Sequence, residues 1–400
     1  MKILQIISYG YVAGGAEKSV LLLKQELGRR GHDVLVVSSN HKNGNEPHFS
    51  DKEFPEIDSP STSLIAKAIK HLWYPASYQT IRAAVSEFAP DIVHFHIMGQ
   101  LSPSALFALG PVPAVLTVHG PEEYVSGILE WSLPEHLFRD NRVAVSNLTA
   151  LGRGYDLYFR HLQRPLYTHG FRRHLRALIA PSKYMAKILE KEKFGVPIHH
   201  LYNGIPLPEP QPLQNRQRLL FVGRLEYVKG VDVLLEALRN VTARFPQAHL
   251  SIVGDGAARS ELEAFVREHR LEKHVTFYGW LAPEAVNNEY AKSTAVVIPS
   301  IWPENLPTVC IEALAIGRPV IGTNGGGIPE LIKDGVTGRI VPKGNAGELA
   351  TAIIDLLSWS DFGATTRACV DSMQGFQITK FVQNLEQLYQ RIVDNTKEPA

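Results

Sequence analysis

The sequence predicts an α/β protein made of two doubly wound, Rossmann-like domains, and three observations carry that expectation. Through the first third of the chain, short β-branched runs alternate with amphipathic stretches, the pattern of a parallel sheet with helices on both faces. A stretch rich in proline, Pro206-Leu-Pro208-Glu-Pro210-Gln-Pro212, then interrupts the rhythm, which restarts beyond it. Finally, 400 residues exceed what one core serves, since chains beyond ~250–300 residues split into domains.

The first expected strand is Ile3–Ser8, followed by a helix over Ala16–Arg29 with Val20, Leu23 and Leu27 at helical spacing and Gly31 as its stop. Strands at Val34–Ser38, Ile92–Phe95, Ala114–Val118 and Ala177–Ala180 continue the sheet, and Ser182 is a natural cap for a helix running to Glu192. The prolines at 206–212 suit neither a helix nor a central strand, so residues 206–216 read as a stiff linker between a domain at 1–205 and one at 217–375. In the second domain the expected order is strand Leu219–Gly223, helix Val231–Leu238, strand Leu250–Val253, helix Arg259–His269, strands Val275–Tyr278 and Ala295–Pro299, then a helix after Pro307. Residues 376–400 carry Phe381, Leu385, Leu388, Tyr389 and Ile392 on one helical stripe, which suits packing back on the first domain.

Apolar residues are 44% and charged residues 20% of the chain, an ordinary globular balance. Lys plus Arg (41) nearly cancels Asp plus Glu (40), so no global field gathers nucleic acid or a bilayer. Two cysteines make neither a disulfide framework nor a Cys-x-x-Cys site, which points to a reducing cytoplasm. Met1–Ile7 lacks the long apolar core of a signal peptide, and the prolines and glycine between Leu101 and Val118 make that stretch a poor continuous membrane helix.

In open parallel sheets, ligands bind beyond the carboxyl ends of the strands, so the loops after each strand carry the candidates. Gly10-Tyr-Val-Ala-Gly14-Gly15-Ala16-Glu17 opens the first helix, where glycines let backbone N–H groups approach a phosphate; the loop serves packing equally well. It is not the Gly-x-Gly-x-x-Gly of a dinucleotide site, and strand two ends in Ser38-Ser39-Asn40 without the acidic residue that holds ribose. Gly223-Arg224-Leu-Glu-Tyr-Val-Lys229-Gly230 places two cations on one loop, suited to a diphosphate or simply to solvent. No Asp-x-Asp occurs, so the usual short carboxylate pair that holds Mg²⁺ on a diphosphate is missing. Pro303-Glu304-Asn305-Leu306-Pro307-Thr308-Val-Cys-Ile-Glu312 puts Glu304 on a loop and Glu312 in the helix that Pro307 opens. His94 and His96 share one face of a strand; with no further ligands they read as a plain cleft wall rather than a metal pair.

Together these motifs resemble glycosyltransferase family 4 of the GT-B fold, whose marks are a Glu-x7-Glu motif (Glu304 to Glu312), an Arg/Lys diphosphate loop (Arg224, Lys229) and a glycine-rich first loop. Asn203-Gly204-Ile205, Val253-Gly254-Asp255-Gly256, Phe277-Tyr278-Gly279 and Gly325-Gly326-Gly327-Ile328-Pro329-Glu330 extend the similarity along nearly the whole chain.

The resemblance implies two facing domains with a deep cleft, the first on the acceptor side and the second binding a nucleotide-sugar. It implies that Glu304 faces the donor sugar and Glu312 the ribose, while Arg224, Lys229 and the Gly14–Gly15 backbone hold the diphosphate. Leu306, Pro307 and Thr308 would run along the phosphates, the Tyr278 loop would touch the base, and Gly254 and Asn305 would complete the donor site. His119 matches the histidine that such enzymes place near the transferred sugar; a strand-end histidine also serves structure alone. The implied reaction is retaining, front-face transfer of a hexose-type sugar from a UDP- or GDP-sugar, with no metal or cofactor. Arg160–Arg176, basic with interleaved aromatics, suits an anionic acceptor, a lipid headgroup surface at the inner face of the membrane, or plain solvation, and residues 99–163 show no motif that names an acceptor. Two alternatives share the fold: a nucleotide-sugar epimerase, against which the Glu-x7-Glu context stands, and a silent nucleotide-sugar-binding protein, which would be expected to have lost His119 or Glu304.

Overall fold

A computed structural model describes residues 1–12, 14–41, 47–57, 62–120, 157–212 and 217–397. The chain divides into two compact units: the first contains residues up to 120, residues 157–205 and the C-terminal helix Ile378–Lys397, and the second is Pro206–Gln377.

In the first unit seven parallel strands form one sheet in the order β3-β2-β1-β4-β5-β6-β7. They are β1 (Lys2–Tyr9), β2 (Asp33–Ser39), β3 (Lys52–Phe54), β4 (Ile92–Phe95), β5 (Ala114–Thr117), β6 (Leu175–Ala180) and β7 (Ile198–His200). Ile3, Leu4, Ile6 and Ile7 of β1 are all inaccessible, because a central parallel strand is covered on both faces and so reads as a continuous apolar run. The helices α1 (Gly15–Arg29), α2 (Leu64–Leu72) and α3 (Pro75–Phe88) follow in chain order. One sheet face packs Leu4, Phe95, Leu116 and Leu178 against Ile81, Ala84 and Val85 of α3. The other packs Ile3, Ile92, Val115 and Ala177 against Leu23 and Leu27 of α1 and Phe381, Leu385, Leu388 and Tyr389 of the C-terminal helix. Glu386 of that helix also meets Arg30 and His32, each at 2.7 Å. Ser182 caps the helix Lys183–Glu192 by accepting from the Met185 N–H at 3.0 Å.

The second unit is a six-stranded parallel sheet in the order β10-β9-β8-β11-β12-β13. Its strands are β8 (Arg218–Val222), β9 (His249–Val253), β10 (Val275–Gly279), β11 (Ala295–Ile298), β12 (Val320–Thr323) and β13 (Gly338–Val341). The last two are absent from the sequence reading. Both are four residues long, and β13 opens on Gly338, where an added Cβ would stand 1.8 Å from the Val320 carbonyl oxygen. The glycine that interrupts the strand pattern is therefore what lets the two strands approach.

The Arg318 side chain is inaccessible and donates to five backbone carbonyls: Tyr290, Ala291 and Ile316 in the second unit, and Gln211 and Pro212 of the proline-rich stretch, at 2.8–3.4 Å. A guanidinium satisfies this many acceptors with one fixed fork, which a lysine cannot reproduce. Arg318→Met is expected to cost about 3 kcal/mol or more in urea denaturation, since buried acceptors would lose their donors. An unchanged midpoint would show that these carbonyls find partners without it.

The aromatics interleaved with the basic residues of 160–176 belong to the core: Tyr167 and Phe171 are buried, and Phe171 packs edge-on to Phe194. Arg172 donates to the Phe194 carbonyl at 2.9 Å and Arg164 pairs with Glu192. Of the stretch 99–163, residues 121–156 lie outside the described residues. Among the described residues no helix is long and apolar enough to cross a membrane.

Candidate active site

The strand order of the second unit reverses between β8 and β11, and at such a switch point the loops after the two strands diverge and leave room for a ligand. The loop after β8 carries Arg224 and Lys229, and the loop after β11 carries Glu304. The structure brings two of these together: Lys229 Nζ donates to Glu304 Oε1 at 2.7 Å, and Ser300 Oγ donates to the same oxygen at 2.6 Å. Arg224 turns instead to its neighbour Glu226 and is largely exposed.

Backbone contacts hold this arrangement. The Ile301 and Trp302 N–H groups donate to the Val228 carbonyl at 3.0 and 3.1 Å, joining the two loops. From the end of β12, Thr323 Oγ1 donates to the Ser300 carbonyl at 2.7 Å and the Gly327 N–H to the Glu304 carbonyl at 2.7 Å. Gly326 has a φ of +63°, and a Cβ there would lie 2.0 Å from the Glu304 carbonyl oxygen, so only glycine allows the approach. The Gly325-Gly326-Gly327 run thus supports the backbone of Glu304.

Asn305 and Leu306 lead from Glu304 into Pro307, which precedes the helix Thr308–Ala315 with no side-chain cap on its first N–H groups. Those donors and the positive helix end favour an anion. Glu312 lies one turn into the helix, where Tyr290 donates its hydroxyl to Oε2 at 3.0 Å; burial and this carboxylate push the Tyr290 hydroxyl well above its ordinary range. Gly254 follows β9 with a φ of +127°, and a Cβ would stand 1.9 Å from the Gly223 carbonyl oxygen, so packing alone accounts for glycine there. Tyr278 lies on the edge strand β10, two strands from β8, with 37% of its surface exposed.

In the first unit Gly14 caps α1 with extended backbone, and a Cβ at Gly15 would meet nothing within 4 Å. His119 follows β5, half-buried, with Nε2 3.1 Å from Nδ1 of His96. His96 in turn lies against His94, ring centroids 4.0 Å apart. His94 bonds Thr117 Oγ1 through Nε2 at 2.7 Å and the Tyr389 hydroxyl of the C-terminal helix through Nδ1. His94 and His96 are inaccessible, which corrects the expectation of a cleft wall: they form a buried polar file from Tyr389 to His119. Burial holds His94 down to about 3 and His119 to about 4, and His96 well below its ordinary value, so all three are neutral at pH 7.

Sequence reasoning missed Ser300, Tyr290 and His96 as partners of Glu304, Glu312 and His119. Ser300 follows β11 directly after Pro299, a visible but common signal; Tyr290 comes from a helix 22 residues before Glu312 and leaves none.

Two family models match consecutive stretches: "Glycosyltransferase Family 4" over residues 13–208 and "Glycosyl transferases group 1" over 208–366. The chain belongs to the family 4 type of glycosyltransferases. The chain is 34% identical over 151 residues to an alpha-D-kanosaminyltransferase of Streptomyces kanamyceticus, covering 38% of this chain and 39% of that protein. It is 34% identical over 190 residues to the spore coat protein SA of Bacillus subtilis, 45% of this chain and 50% of that one. The matched stretches therefore span half or less of those two relatives. A phosphatidyl-myo-inositol mannosyltransferase of Mycolicibacterium smegmatis is 25% identical over 371 residues, 89% of this chain and 85% of that protein. In fold the chain is similar to sucrose-phosphate synthase from Thermosynechococcus elongatus, with a TM-score of 0.75, 19% identity and coverage of 99% and 100% of the two chains. Anabaena HepE in complex with UDP and glucose matches with a TM-score of 0.68, 19% identity and coverage of 98% and 100%. These neighbours share the GT-B architecture of two Rossmann-like domains.

Proposed function

We propose that this glycosyltransferase moves a hexose-type sugar from a UDP- or GDP-sugar to a hydroxyl acceptor, with retention at the anomeric carbon and without a metal. The convergence of Lys229, Glu304, Ser300 and the uncapped helix at Thr308 on the switch point of one sheet carries the reading. An ammonium and a helix end stabilise a departing diphosphate, while the adjacent carboxylate binds sugar hydroxyls and the positive charge that develops on the ring. In front-face transfer the bond from the anomeric carbon to the phosphate oxygen breaks as the acceptor oxygen bonds to the same face. The acceptor proton passes to the leaving phosphate, so no protein carboxylate is required as base. Lys229 has three donors, of which one serves Glu304, and Arg224 extends the cationic loop. Leu306, Pro307 and Thr308 with Asn305 would line the phosphates, Glu312 the ribose, and Tyr278 the base. From the first unit, His119 is assigned to the transferred sugar as a neutral hydrogen-bonding group, and the Gly14–Gly15 N–H groups to the diphosphate. The names of the relatives, a kanosaminyltransferase and a mannosyltransferase, support a hexose-type donor, and HepE with UDP and glucose supports a uridine nucleotide.

The test is a panel of UDP-, GDP-, ADP- and dTDP-sugars in EDTA, reading thermal shift and slow donor hydrolysis. A metal-independent shift with one donor is expected. Stabilisation appearing only on addition of Mg²⁺ or Mn²⁺ would overturn the metal-free part, and hydrolysis with inverted configuration the retaining part.

A further inference from the structure

Five of the nine large apolar side chains that stand exposed among the described residues gather on one surface of the first unit: Ile65, Ile69, Trp73, Leu157 and Leu162. Ile65 (76% exposed) and Ile69 (62%) are one turn apart on the outer face of α2, and Trp73 follows at its end, half covered by Phe107 and Tyr78. The turn at residues 157–163 is joined to α2, since Tyr158 donates its hydroxyl to the Ala68 carbonyl at 2.6 Å and Gln163 its amide to the His71 carbonyl at 3.1 Å. Single exposed apolar residues are ordinary; five on two joined elements make an interaction surface.

The charge around this surface names its partner. Residues 61–86 contain three basic residues and no acid, and residues 157–189 contain seven and no acid, in a chain whose formal net charge is +1. Among the described acids that border these stretches, Glu192 is paired with Arg164, Glu56 with His41 and Glu87 with Lys52. Lys67 and Lys70 flank the exposed isoleucines on α2, and Arg160 and His161 stand exposed beside Leu162. A short helix with apolar residues outward and cations on its flanks, joined to a turn that carries further cations, matches an anionic bilayer: the apolar tips enter the headgroup layer while basic side chains draw the surface to lipid phosphates.

We infer that α2 and the adjoining turn dock this glycosyltransferase on an anionic lipid surface, through Ile65, Ile69, Trp73, Leu157 and Leu162. This deepens the proposed function by giving the enzyme a membrane-surface location, and it moves the contact from the interleaved aromatics of 160–176, which are core, to α2. The docking itself does not depend on the sugar chemistry.

The test is co-sedimentation of the full chain with vesicles of phosphatidylcholine alone and of phosphatidylcholine mixed with phosphatidylglycerol, at low and high salt. Binding to the mixed vesicles only is expected, weakened at least tenfold by Ile65→Asp/Ile69→Asp and also by Lys67→Glu/Lys70→Glu, with thermal midpoints unchanged. Leu162→Ser, on the other element, is a further readout should the double aspartate variant fold poorly. Absence of binding to mixed vesicles would overturn the inference, as would binding indifferent to all three variants. Vesicle-independent dimerisation that the variants abolish would assign the surface to a second copy, and protection of α2 by residues 121–156 in hydrogen exchange would assign it to this chain itself. Donor hydrolysis measured in parallel keeps the two readings apart, because lost docking with retained hydrolysis speaks only to the membrane surface.

Discussion

Glu304→Ala is expected to lower the turnover of sugar transfer by about 10²–10³-fold, the range seen when one transition-state-stabilising group is removed from a preorganised site. Its Oε1 accepts from both Lys229 and Ser300, so the carboxylate sets the position of the ammonium as well as offering its own charge. Glu304→Gln separates the two roles: the amide oxygen can still accept from Ser300, but the negative charge is gone. If charge on the developing sugar cation matters, glutamine falls nearly as far as alanine; if only placement matters, most activity returns. Lys229→Met should fall with Glu304→Ala less than additively, since each change disturbs the other's partner. Full turnover of Glu304→Ala in a folded protein would remove the proposed mechanism.

The stability of the first unit is expected to fall steeply below about pH 6.5, with a slope approaching ~3 kcal/mol per pH unit near pH 5. His94 and His96 are inaccessible, and their pKa values lie below the ordinary 6.5, His94 at about 3. Burial is the first cause for both, with neighbouring histidines adding to it. Below pH 6.5 the unfolded chain therefore binds two protons that the folded chain does not, and acid favours unfolding; above 6.5 both states are neutral and the effect vanishes. His119, only half-buried, adds a smaller share because solvent screens the cost of its charge. Urea unfolding at pH 7, 6 and 5 reads the slope, and His96→Gln should reduce it by about 1.4 kcal/mol per pH unit, the contribution of one proton. Equal stability at pH 7 and 5 would show that the file admits a proton while folded.

Much of the fold was legible because parallel sheets write themselves plainly: strands covered on both faces are continuous apolar runs, as in β1, and the helices between them keep one apolar stripe. The shortest strands escaped for the converse reason. β3 has three residues and β13 opens on a glycine required by its neighbour's carbonyl, so neither carries a periodic signal. Among the candidate site residues, Lys229 and Glu304 could be named from their loops, but not that they bond each other.

The sequence by itself determined the class of the protein: two doubly wound domains, a cationic loop after the first strand of the second domain, and a Glu-x7-Glu run at a helix start, all of them patterns within a few residues of one another. The tertiary structure alone decided which side chains meet. Ser300 and the glycines at 325–327 hold Glu304, Tyr290 reaches Glu312, and Tyr389, 295 residues from His94, closes the buried histidine file. The reason is physical: periodicity and turn chemistry act between neighbours along the chain, whereas a buried hydrogen bond depends on the strand order and on the register of the sheet. No local pattern encodes either.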